Sequence, residues 1–130
     1  MNDALAGSAK KTAVLLDRTR DLALRIIRLV DSLPSRLSAR TIGYQLVKCG
    51  TSVGANYRAA RRARSPLEFR AKLGIVEEEA DEVVYWLELL SGSGLVKSKR
   101  LDNLRREANE ILAMVVASIR TSRVNDRKAK

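Results

Sequence analysis

Histidine is absent from this 130-residue chain, cysteine occurs once and proline twice, and the aromatic residues come to one Trp, three Tyr and one Phe. Without histidine there is no Ser-His-Asp or Cys-His arrangement and no HExxH zinc site. The Glu-x-x-His metal ligands of ferritin-like bundles are excluded for the same reason. A single cysteine forms neither an internal disulfide nor a multi-cysteine zinc site, and this suits a reducing compartment. No stretch approaches the roughly 18 to 20 uncharged apolar residues of a membrane span. The first eleven residues hold no apolar core of signal-peptide length before Lys10 and Lys11. The expectation is a soluble, cytoplasmic, single-domain protein with no membrane partner and no cofactor.

Acidic residues are also scarce relative to basic ones. Asp and Glu total 15 against 25 Lys and Arg, for a net charge of +10. Hydrophobic residues still make up 45% of the chain, which is enough for a globular core.

Apolar residues recur at helical rather than strand spacing throughout. Leu15, Leu22, Ile26 and Leu29 mark a helix over about 12–32, which Pro34 stops. Ile42, Leu46, Cys49, Val53, Tyr57 and Ala60 mark a second over about 38–63, with Ser38 as its expected cap. Ser65-Pro66-Leu67-Glu68 combines a Ser cap, Pro at the first helical position and Glu three residues after the Ser, opening a third helix over about 66–91. Gly92 and Gly94 end it. Leu101, Leu104, Ala108, Ile111, Val115 and Ile119 mark a fourth over about 98–121. Residues 1–10 are expected to fray, and 122–130 to form a flexible basic tail. Four amphipathic helices with short loops predict an all-α fold, an antiparallel up-down-up-down four-helix bundle.

Two helices carry more than a monomeric core requires. Gly43, Gly50 and Gly54 share a strip of the second helix with Val47. Each glycine costs about 1 kcal/mol inside a helix relative to alanine. Such a smooth strip serves close packing, either inside the bundle or against a second copy. Asn56, mildly unfavourable in mid-helix, serves a polar contact between helices or between subunits. The third helix is apolar on two sides, with Ala71, Ile75, Trp86 and Leu89 opposite its core face and Glu78 and Glu82 among them. A strip holding the chain's only Trp points to burial by another copy, the alternative being that Trp86 leans against a neighbouring helix of its own bundle. Gly50, Gly54, Asn56, Ile75, Glu82, Trp86 and Leu89 are therefore the candidate oligomer interface.

Charge separates between the same two helices. Residues 32–64 hold seven bases and no acid, whereas 65–91 hold seven acids and two bases. The carboxylates Glu77 to Glu82 read as a solvated or paired face more readily than as an acid/base pair or a metal site. Cys49 lies in the apolar stripe as a small core residue. The arginines are the stronger signal. Arg58, Arg61 and Arg62 fan over one sector, Arg40 lies further back on it, and Arg64 follows in the turn. Guanidinium groups pair with phosphate, so these five are the candidate nucleic-acid contacts, suited to the backbone of duplex or structured RNA or DNA. A generic basic surface without a specific ligand is the alternative.

The stretch Leu46 to Ser65 with its Ser52-Val53-x-x-Asn56 core, the Ser65-x-x-Glu68-Phe69 helix start, and Glu79-Ala80-Asp81-Glu82-x-x-x-Trp86-Leu87 resemble the four helix bundle protein family, also called the ribosomal RNA intervening-sequence protein family. The resemblance implies a bacterial, non-enzymatic bundle that assembles as a ring, commonly a homopentamer. Genes of this family lie in insertions of large-subunit ribosomal RNA genes and elsewhere. A related accessory protein of diversity-generating retroelements is a basic pentamer that binds nucleic acid and a protein partner, a reverse transcriptase. Many family members follow the Asn with an acidic Glu-Gly pair. Here Asn56 leads instead to Tyr57-Arg58, so nothing tied to that acidic position carries over.

Overall fold

A computed structural model of the chain describes residues 3–129, and all four expected helices are present. They are α1 (Asp3–Asp31), α2 (Leu37–Arg61), α3 (Pro66–Gly92) and α4 (Ser98–Ala129). No strand occurs among the described residues. Each helix packs on its neighbours in the chain, and α1 closes the bundle against α4. The α2–α3 contact is the most extensive of these and the α1–α4 contact the least. Successive helices run antiparallel. Arg70 near the start of α3 bonds to Ser122 and Asp126 near the end of α4, and Arg100 at the start of α4 bonds to Ser32 just past α1.

The core is the predicted stripe of each helix. Leu15, Leu22 and Ile26 of α1, Leu46 and Val53 of α2, Leu73 and Val83 of α3 and Ile111 of α4 are fully buried. Burying one such side chain contributes roughly 1.5–3 kcal/mol, against roughly 0–1 for a surface ion pair, so this stripe and not surface charge holds the bundle. Thr19 interrupts the α1 stripe, and its hydroxyl donates to the Leu15 carbonyl at 2.7 Å.

The third helix starts as its sequence predicts. The Ser65 hydroxyl accepts from the Glu68 amide at 3.0 Å. The Glu68 carboxylate reaches back to the Arg64 amide at 3.2 Å. Its end turns through Gly94, whose φ of +79° suits glycine.

Three expectations need correction. Ser38 does not cap α2. The cap position is Arg36, without a side-chain hydrogen bond. The basic tail is helical through Ala129, and α1 is helical from Asp3; residues 1, 2 and 130 lie outside the described residues. The inward strip of α4 continues past Ile119 as Ser122 and Asp126, which Arg70 holds at 3.1 Å each. Finally, the glycine strip of α2 meets α1 of the same chain. A β-carbon at Gly50 would stand 2.5 Å from Ile26 Cδ1, one at Gly54 3.3 Å from Thr19 Oγ1, and one at Gly43 3.0 Å from Val30 Cγ1. The close approach at Gly50 and Gly54 thus serves packing inside the bundle rather than the expected interface between copies.

Candidate nucleic-acid interface

The α2 backbone presents its remaining faces in a fixed order. The core stripe and the glycine strip are covered, which leaves one solvent-facing strip. Arg40, Tyr44, Lys48, Thr51, Ala55, Arg58 and Arg62 follow one another along it, all exposed, with Arg61 at its edge. Arg40 and Arg58 are five helical turns apart on the same side, roughly 27 Å at 1.5 Å per residue. Arg64 is exposed in the turn that follows. Among the described residues none of these five arginine side chains pairs with a carboxylate. Tyr44, 67% exposed, sits on the strip between Arg40 and Lys48. Lys48 was not singled out from the sequence, although its place on the wheel near Arg62 would have found it.

The fourth helix adds to this charge. Because α2 and α4 run parallel, their C-terminal ends lie at the same end of the bundle. Arg120, Arg123, Arg127 and Lys128 are exposed there, near Arg58 to Arg64.

The acidic helix does not neutralise the basic one through ion pairs. Among the described residues no salt bridge joins α2 to α3. The resolved electrostatic couplings between them lie at the seam. Burial raises the Glu79 carboxyl, the nearby charge of Glu82 adds to this, and Lys48 opposes it. Burial pushes the Cys49 thiol up to about 12, and Glu82 and Glu79 reinforce the effect. At neutral pH Cys49 is a buried thiol and no nucleophile. Among the described residues no three Cys, Asp or Glu side chains are grouped to hold a metal ion.

The candidate interface residues of α3 form one strip. Ile75 is exposed and Glu82, Trp86 and Leu89 are half-buried. The Trp86 indole N–H donates to the Glu82 carboxylate at 3.3 Å. Tyr85, 52% exposed, meets the Trp86 ring edge to face at 5.1 Å. Asn56 is half-buried on α2, and its amide donates to the Ser52 carbonyl and hydroxyl of the same helix at 2.9 and 2.8 Å. No helix among the described residues is long and apolar enough to cross a membrane.

Similarity to known proteins bears on the whole bundle. No curated protein matches the chain. A crystal structure from Bacteroides thetaiotaomicron, described as a protein of unknown function from the S23 ribosomal protein family, superposes with a TM-score of 0.80 at 32% identity, over 85% of this chain and 98% of that one. The 23S rRNA-intervening sequence protein family matches residues 11–117, a span running from α1 into α4 that holds the arginine strip, the glycine strip and the Trp86 strip. The chain belongs to the 23S rRNA-intervening sequence protein family.

Proposed function

We propose that the protein is a non-enzymatic, cytoplasmic bundle that assembles with copies of itself through the outer strip of α3. In this reading it presents the arginine strip of α2 to the backbone of RNA or DNA. The supporting observation is the row of exposed arginines that no carboxylate among the described residues satisfies. An Arg row of this kind is matched by phosphate oxygens at no cost in broken internal pairs. The row covers roughly 27 Å, less than one duplex turn of about 34 Å. A single protomer therefore follows only part of a turn, and assembly is what extends the contact. The family resemblance makes that assembly a ring, commonly of five copies. A protein partner joins on the same resemblance.

If Arg40, Arg58, Arg61 and Arg62 each neutralise one phosphate, the logarithm of the affinity falls with a slope of about −3.6 against that of salt. That is a loss of roughly 150-fold between 50 and 200 mM. Arg58→Glu, Arg61→Glu and Arg62→Glu together abolish binding to structured RNA and duplex DNA. Undetectable binding by the wild type at low salt would overturn the reading and leave a protein-interaction module. Trp86→Asp lowers the mass found by light scattering, and an unchanged mass removes the α3 strip from the assembly.

A further inference from the structure

At the end of the bundle where α1 starts and α4 finishes, all four helices line a cleft of about 1030 Å³. That is at the top of the usual range for organic ligands, roughly 300–1,000 Å³, and far more than an inorganic anion needs. Three cations, Lys11, Arg61 and Arg64, line it from three directions: α1, α2 and the turn before α3. Tyr57 lines it too. The residue is 96% buried, with only 4% of its surface exposed. Among the described residues its hydroxyl has no hydrogen-bond partner, yet it is not sealed from solvent, because no unpaired side-chain oxygen is fully buried. A ring this buried whose hydroxyl is left to solvent is a donor that a ligand in the cationic cleft can take over from water.

The other walls define what the acceptor is attached to. Phe69 and Pro66 give an apolar wall on α3, suited to a flat ring. Ser118, Thr121 and Asn125 give a polar wall on α4, suited to sugar hydroxyls and base edges. Asp126, the acid of the lining, is held by Arg70 at 3.1 Å. We propose that this cleft seats a phosphorylated nucleoside, with its phosphate on Lys11, Arg61, Arg64 and the Tyr57 hydroxyl and its base against Phe69. The shared chemistry has two sources, a free mononucleotide and the phosphorylated end of a strand. Arg61 belongs both to the cleft and to the arginine strip, so a strand lying along α2 arrives at the cleft. The strand-end source rests on the function proposed above, and the free nucleotide does not.

The test compares twelve-nucleotide single strands that carry a terminal phosphate at either end or none, by fluorescence anisotropy at fixed salt. A nucleoside monophosphate serves as the free ligand and competitor. The wild type prefers a phosphorylated end by about tenfold, the scale of one or two charge-assisted hydrogen bonds. Tyr57→Phe keeps the ring and removes only the oxygen. Once circular dichroism shows it folded, it and Lys11→Ala lose most of that preference while holding the hydroxyl-ended strand as well as the wild type does. A strand bound without end preference, together with a monophosphate that neither binds nor competes, overturns the cleft and leaves the arginine strip standing. Monophosphate binding that Tyr57→Phe weakens, with no strand bound, upholds the cleft and removes the strand end as its source. No binding of either overturns the cleft, while the arginine strip is judged by the structured RNA and duplex DNA above. Full preference retained by Tyr57→Phe overturns the role given to its hydroxyl and with it the proposal.

Discussion

Replacing Gly50 with alanine isolates the closeness of α1 to α2. On propensity alone the change stabilises a helix by about 1 kcal/mol. In the bundle the new β-carbon would stand 2.5 Å from Ile26 Cδ1, 3.2 Å from Cγ2 and 3.4 Å from Cβ. Carbon atoms in good contact are about 3.5–4.0 Å apart. Ile26 is fully buried and β-branched, so it has few rotamers into which to retreat. Relief comes from displacing α1, and overpacking of this kind costs roughly 1–3 kcal/mol. The net result is a loss of about 1 kcal/mol. Gly74→Ala is the control, because a β-carbon there meets nothing within 4 Å, and the full gain of about 1 kcal/mol remains. At this chain length 1 kcal/mol moves Tm by about 4 °C, so the two variants separate by about 8 °C. Thermal melts followed by circular dichroism measure this at one protomer concentration, since assembly makes Tm depend on concentration. If Gly50→Ala were as stabilising as Gly74→Ala, the tight α1–α2 seam would be wrong.

The Arg18–Glu107 pair predicts a pH effect. Its Nε donates to a Glu107 oxygen at 2.8 Å, and this bond holds the Glu107 carboxyl below its ordinary value. A carboxyl lowered by folding contributes stability above its unfolded value of about 4.3, and that contribution is lost as pH falls through the folded value. Glu107→Gln therefore costs about 1 kcal/mol at pH 7 and progressively less toward pH 3. Urea midpoints across that range that kept a constant gap would refute this. Cys49, its thiol pushed up to about 12, stays unlabelled by a thiol reagent at pH 8 in the native protein and reacts fully in denaturant. Rapid native labelling would place it at the surface.

Much of this was readable in advance because it is local. The Ser65–Glu68 cap and the apolar stripes of α1 to α3 involve residues a few positions apart. The arginine sector of α2 follows from 3.6-residue periodicity. The extension of α4 was not readable, because its apolar pattern ends at Ile119 and the next inward positions, Ser122 and Asp126, are polar. Their partner, Arg70, is 52 and 56 residues away, and spacing on one helix cannot report a bond to another. The glycine strip was legible as smooth and not as covered: which helix lies on it depends on how the bundle closes. The cleft was hidden for the same reason, since its walls come from the remote ends of four helices.

The way the bundle closes has a kinetic consequence. The three large seams join helices that a short turn already holds together. The smallest, α1 against α4, joins the two ends of the chain, through residues such as Arg18 and Glu107 that are 89 positions apart. Closing that loop costs the most chain entropy and returns the least buried surface. The hairpins come first and the final seam last, and the same order runs backwards when the protein breathes. Amide protons along α1 exchange ahead of those in α2 and α3, which are clamped on both flanks.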